Sequence, residues 1–136
     1  MTARKAKSAQ AKRKVVKKSY RKVPNGIVCI YASFNNTLVR VTDQEGNALT
    51  GSSAGAMGFK GSRKSTPHAA QQAAKKAVED AIALYGLTSV DIYIKGPGTG
   101  RDAAGKAVGT QVKVTSISDI TGVPHNGARP KKERRA

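Results

Sequence analysis

The chain has 136 residues, 38% of them apolar, and a formal net charge of +17 from 25 Lys and Arg against 8 Asp and Glu. That length suits one domain with its own core. With only Phe34, Phe59 and four tyrosines as aromatics, the core has to come mainly from Val, Ile and Ala. The single cysteine, Cys29, excludes an internal disulfide and fits a reducing compartment. No apolar run approaches the ~20 residues of a membrane span, so no membrane partner is expected.

The charge is uneven. Residues 1–22 carry ten basic groups and no acid, residues 129–136 carry a net +4, and everything between carries only +3. The sequence therefore divides into a basic arm over 1–24, a domain over 25–120 and a basic tail over 121–136. The arm has no hydrophobic period and its like charges repel, which predicts disorder until it meets a partner. It lacks the apolar region of a signal peptide and reads as part of the mature protein. Cationic arms suit a polyanion, because each neutralised phosphate releases condensed counterions.

Inside the domain, "IVCIYASF" (27–34) is a short β-branched apolar run, readable as a buried strand in which Cys29 is a small hydrophobe. Asn35-Asn36 supplies a turn. "TLVRVTD" (37–43) alternates in the manner of a strand, "QEGN" turns again, and "ALTGSS" (48–53) closes a three-stranded antiparallel meander. Residues 54–66 are too rich in glycine to be regular. Helix signals then converge: Ser65 or Thr66 as N-cap, Pro67 at the first helical position, and Gly86 just past an end at Tyr85. Ala70, Ala74, Ala77, Val78, Ala81, Ile82 and Tyr85 form its apolar stripe. "VDIYI" (90–94) is a strand, 100–109 a weaker helix holed by Gly105 and Gly109, and "VKVTSI" (112–117) the last strand. The order β-β-β-α-β-α-β, with parallel pairing across each helical crossover, predicts an α/β fold: a mixed five-stranded sheet with helices packed on it and disordered basic arms.

Two loops carry the chemistry. "KGPGTGR" (95–101) joins a strand to a helix start, where free N–H groups and the positive dipole end favour an anion. Gly98 and Gly100 would let the backbone approach it, with Lys95 and Arg101 on the flanks. Gly100 to Lys106 also spells G-x-x-x-x-G-K, but a nucleotide P-loop needs a hydroxyl next. Ala107 stands there, and Gly105-Lys106 falls inside the helix. "GFKGSRKSTP" (58–67) repeats the design, with Lys60, Arg63 and Lys64 before the long helix. Crossover loops of this kind often emerge at one end of a sheet, where one polyanion could touch both. In the tail, "PHNGARP" (124–130) offers His125, Asn126 and Arg129 to phosphate, ribose or base edges. Metal ligation by His125 lacks partners at ligand spacing, and no cofactor is expected. Carboxylates are too scattered for two-metal nuclease chemistry, and no Ser/His/Asp set is spaced for catalysis. The chain is not expected to be an enzyme.

"FNNT" (34–37), "GFKGSRKSTP" (58–67), "KGPGTGRD" (95–102), "SISDIT" (116–121) and "PHNGARP" (124–130), in that order, resemble the small-subunit ribosomal protein eleven family in its bacterial type, over roughly residues 24–131. The resemblance implies a mixed sheet of ribonuclease H-like topology without nuclease activity. It implies a structural constituent of the small ribosomal subunit, in the cytoplasm, that binds small-subunit rRNA on the platform. There it would sit beside neighbouring platform proteins and help form the region where messenger RNA passes the exit site. RNA contacts implied by matching motifs are Asn35, Asn36, Lys60, Arg63, Lys64, Arg101, His125, Asn126 and Arg129. Charge placement adds Lys95, and from the arms Arg21, Lys22, Lys131, Lys132, Arg134 and Arg135.

Overall fold

The structure is a computed structural model and describes residues 21–135. The disorder expected of the basic arm over 1–24 lies, for residues 1–20, outside the described residues. Strands β1 (Asn25–Ala32), β2 (Thr37–Asp43) and β3 (Ala48–Ser53) are followed by a 3-10 turn over Gly61–Ser65 and helix α1 (Pro67–Tyr85). Then come β4 (Ser89–Lys95), α2 (Arg101–Gly109) and β5 (Lys113–Asp119). The five strands form one mixed sheet in the order β3-β2-β1-β4-β5. The meander pairs antiparallel, and β1, β4 and β5 pair parallel. The α/β class and the five-stranded mixed sheet expected from the sequence are what the chain adopts.

Both helices cover one face of the sheet. Val28, Ile30, Val39, Val41, Val90, Ile92 and Ile94 alternate onto that face and join α1 and α2 in a single buried cluster. Helix α1 meets it through Ala70, Ala73, Ala74, Ala77, Val78 and Ala81, all fully buried, and methyl side chains let the helix lie close to the strands. Thr66 caps α1 by accepting from Ala69 N at 3.3 Å, and Gly86 ends it in the left-handed region at φ 67°. The stripe differs from expectation at its end, since Ile82 is exposed and Tyr85 only half-buried. The contact has rotated toward Ala69 and Ala73, because short side chains seat deeper than long ones. The 54–66 segment also departs from expectation, since Gly61–Ser65 winds into a 3-10 turn. Val23 is buried and donates to Tyr85 O at 2.8 Å, so the chain is held by the domain before β1 begins.

Among the described residues no helix covers the opposite sheet face. That face presents Ile27, Cys29 and Tyr31 from β1, Leu38 and Arg40 from β2, and Asp91, Tyr93 and Lys95 from β4, since their alternate neighbours face the helices. Cys29 is therefore half-buried on an uncovered face rather than sealed in the core. Partial burial pushes its thiol pKa up, with Arg40 opposing. Among the described residues no helix is long and apolar enough to cross a membrane.

Strand directions position everything that follows. β1, β4 and β5 are mutually parallel, and β3 runs with them after two antiparallel steps. The β1–β2 turn, the 54–66 loop, the 96–100 loop and the tail after β5 therefore all leave from the same end of the sheet. Both helix N-termini face that end too. The arm enters at the other end.

Candidate nucleic-acid interface

The shared end is a connected surface rather than four separate loops. The β1–β2 turn is fixed by Ser33, whose Oγ donates to Asn36 O at 3.0 Å and accepts from Asn36 N at 3.1 Å. Asn36 Oδ1 accepts from Thr37 N at 2.8 Å, so its side chain holds the turn while Asn35 points into solvent. The glycine loop docks on this turn, with Gly98 N donating to Ala32 O at 2.8 Å. Thr99 Oγ1 reaches Ser65 O at 2.6 Å and ties the glycine loop to the basic loop. The tail is tied in by Gly96 N, which donates to Thr121 Oγ1 at 3.1 Å, and by Ile120 N, which donates to Ile94 O at 2.8 Å.

The glycines work differently from the sequence reading. Gly96, Gly98 and Gly100 are all buried. A Cβ at Gly96 would stand 2.3 Å from Ala32 O, one at Gly98 2.4 Å from Ser33 O, and one at Gly100 2.6 Å from Thr37 Oγ1. They face inward and let the loop pack on β1 and α1, and the N–H groups of Gly96 and Gly98 are already donated. Gly100 and Arg101 begin α2, whose first N–H groups have no intrahelical partner. In α1, Pro67 has no N–H and Thr66 takes that of Ala69. An anion approaching this end would meet dipole ends and side-chain cations, not bared glycine backbone.

The cations sort by availability. Lys60, Arg63 and Lys95 are exposed, Lys64 is half-buried, and none pairs with a carboxylate among the described residues. His125, Asn126, Arg129, Lys131, Lys132, Arg134 and Arg135 are exposed along a tail with no helix or strand, in which Asn126 takes a left-handed φ of 61°. Arg101 is different: its guanidinium pairs with Asp119 at the end of β5. Asp119 is held down to about 2, first by the Thr121 hydroxyl, then by Thr121 N–H and Arg101. Arg101 therefore braces the tail's exit and presents only part of its charge. Arg21 and Lys22 lie at the opposite end, and Arg21 pairs with Asp43 at 2.8 Å. Asp43 is held below its usual range, chiefly by the Asn47 side chain, with burial opposing.

Sequence reasoning missed an aromatic. The strand expected over 27–34 stops at Ala32, because Ser33 opens the turn, and Phe34 is left 73% exposed at the tip. The "FNNT" motif held the signal, but treating Phe34 as strand hid it. Beside the basic loop, Phe59 meets His68 edge-on, with centroids 5.8 Å apart.

Lys106 sits in the last turn of α2 and Ala107 is buried, so the G-x-x-x-x-G-K string lies within and just before a helix and does not form a phosphate loop. Among the described residues no three His, Cys, Asp or Glu gather to hold a metal. Asp43, Asp91 and Asp119 stand on three strands, engaged respectively by Arg21, Ser116 and Arg101.

Residues 26–135 match the family described as ribosomal protein S11. The chain belongs to that family. A relative from Francisella tularensis subsp. novicida (strain U112) is 52% identical over 131 residues, spanning 96% of this chain and 98% of the relative. One from Pseudomonas fluorescens (strain SBW25) is 53% identical over 131 residues with the same coverage. One from Paraburkholderia xenovorans (strain LB400) is 51% identical over 132 residues. Each is named small ribosomal subunit protein uS11. Members of the ribosomal protein S11 family are structural proteins, and this chain is not an enzyme.

Proposed function

We propose that the chain is a structural constituent of the small ribosomal subunit that binds small-subunit rRNA through the loop end of its sheet. It does so on the platform, beside neighbouring platform proteins and close to the path of messenger RNA at the exit site. The single observation that carries this reading is convergence. The basic loop, Lys95, the Asn35-Asn36 turn, both helix N-termini and the cationic tail meet at one end of the sheet and are bonded together there. A folded RNA brings phosphates from several helices to one place, and a multi-loop cationic surface fits that shape. Phosphate contacts supply affinity, and RNA shape supplies most of the specificity. The arm would reach RNA from the other end, so Arg21 and Lys22 would contact a different part of it.

The test is competition at matched salt between the small-subunit rRNA and random duplex RNA of equal length. Preference for the rRNA by roughly a thousandfold or more is expected. Equal binding would make the chain a general polyanion coat. Retention on the small subunit through a high-salt wash is the companion measurement.

A further inference from the structure

The uncovered sheet face carries chemistry that the loop end does not use. Register places two rows of three residues across β2, β1 and β4. Arg40, Cys29 and Tyr93 form one row, and Leu38, Tyr31 and Lys95 form the next. The two tyrosines are diagonal neighbours on adjacent parallel strands. Arg40 and Lys95 occupy the opposite corners, and Cys29 and Leu38 fill between. Tyr31 is 46% exposed and Leu38 47% exposed. Neither Arg40 nor Lys95 pairs with a carboxylate among the described residues. Asp91, the acid on this face, accepts from Ser116 Oγ at 3.0 Å. A hollow of about 410 Å³ opens over Cys29, Tyr31, Leu38, Arg40 and Gly51, where glycine leaves the floor bare.

We propose that this face is a second RNA surface, on which two unpaired bases stack on Tyr31 and Tyr93 while their phosphates meet Arg40 and Lys95. An open sheet with aromatic side chains on adjacent central strands and cations at the margins is the arrangement by which sheets hold single-stranded RNA. An apolar protein partner would have to desolvate Arg40 and Lys95, neither of which has a carboxylate partner among the described residues, whereas an RNA strand supplies the countercharge. Lys95 belongs to both surfaces, so a strand can pass from the loop end onto the sheet without a break. The proposal rests on the reading of the chain as an rRNA-binding protein.

The experiment uses the full chain with two probes: the small-subunit rRNA, and a labelled eight-nucleotide oligoadenylate as generic unpaired strand. The chain has no tryptophan and four tyrosines, so stacking on Tyr31 and Tyr93 is read as the part of the emission quenching that the double alanine variant loses. Oligoadenylate is expected to quench the tyrosine emission. The double variant Tyr31→Ala/Tyr93→Ala is expected to lose tenfold or more in affinity for both probes, by roughly the stacking contribution of one to two bases, with the salt slope unchanged. The variant Tyr31→Phe/Tyr93→Phe keeps the rings and should bind as the parent does. Equal binding by the alanine variant, or equal loss in the phenylalanine variant, overturns the proposal. Ultraviolet crosslinking of the unaltered chain in assembled subunits gives a reading independent of whether the variants fold. Crosslinks from Tyr31 and Tyr93 to rRNA support it, and crosslinks to a protein overturn it. If the unaltered chain fails to prefer the rRNA at all, it is the proposed function that fails.

Discussion

Gly96→Ala is the sharpest test of how the loop end is built. Gly96 follows Lys95, the last residue of β4, at φ 99°, and an added Cβ would stand 2.3 Å from Ala32 O and 3.1 Å from Ala32 C. Two penalties therefore act together. Placing an L-residue in the left-handed half of backbone space costs about 1–2 kcal/mol. Forcing a methyl into a packed contact adds roughly 1–3 kcal/mol, and here the obstacle is backbone, which cannot rotate away. Gly46→Ala is the matched control. Its φ is 92°, nearly the same, but nothing lies within 4 Å of the added Cβ, so it should lose only the first, about 1–2 kcal/mol. With a urea m-value of about 2 kcal/mol/M, the midpoint should fall by roughly 0.5–1 M for Gly46→Ala and 1–2.5 M for Gly96→Ala. Urea unfolding followed by far-UV circular dichroism measures both. Equal midpoints for the two variants would falsify the claim that the glycine loop is locked onto the end of β1.

Three further predictions concern charge and burial. Replacing Lys60, Arg63 and Lys64 together by Ala should lower the slope of log affinity for rRNA against log salt by about 2–3, at ~0.7–0.9 per lost phosphate contact, with the urea midpoint unmoved. An unchanged slope would mean these side chains face solvent in the complex. Asp119 should titrate near 2, because Thr121 and Arg101 favour its ionised form. A depressed folded-state value means its contribution is complete above the ordinary carboxylate range near 4 and disappears as pH falls toward about 2. Carboxyl NMR should show that midpoint, and an upward shift toward the ordinary value in Thr121→Val, which removes the hydroxyl but keeps the residue-121 N–H and Arg101. If Thr121→Val leaves the midpoint where it was, the assigned cause is wrong. Thr37 is fully buried and its Oγ1 has no hydrogen-bond partner among the described residues. Thr37→Val should therefore stabilise by about 1 kcal/mol, since it removes a desolvated hydroxyl. A loss of similar size in thermal unfolding would show that the hydroxyl is satisfied.

Much of the architecture was legible because several local signals agreed. Thr66, Pro67 and Gly86 bracket α1 at the residues where it begins and ends, since capping chemistry acts within a few residues of itself. The alternation in 37–43 and the turn at "QEGN" fixed β2 and β3 to the residue. Failures came where tertiary packing decides. Ile82 and Tyr85 fit the period of the apolar stripe as well as Ala73 does. Which of them faces the sheet depends on how deeply alanines seat against it, and a helical wheel has no depth.

The sequence singled out the candidate residues but not their structural surroundings. Lys95 and Arg101 look alike in sequence: two cations flanking one glycine loop, six residues apart. They differ because β5 runs parallel to β4 and ends with Asp119 opposite Ile94; Asp119 pairs with Arg101, whereas Lys95 has no carboxylate partner among the described residues. The glycines pose the same problem. A glycine that lets a phosphate approach and one that lets the chain's own backbone approach are indistinguishable in sequence, because both reflect an absent Cβ. Register separates them. Tyr31 pairs with Lys95, so the next residues, Ala32 and Gly96, are brought face to face as the strands end. The space a phosphate would need is filled by the Ala32 carbonyl. On the proposed reading, phosphate recognition at this end would fall to the side chains that the inward-packed loop carries, and a substitution at Gly96 should weaken RNA binding only as far as it displaces Lys95.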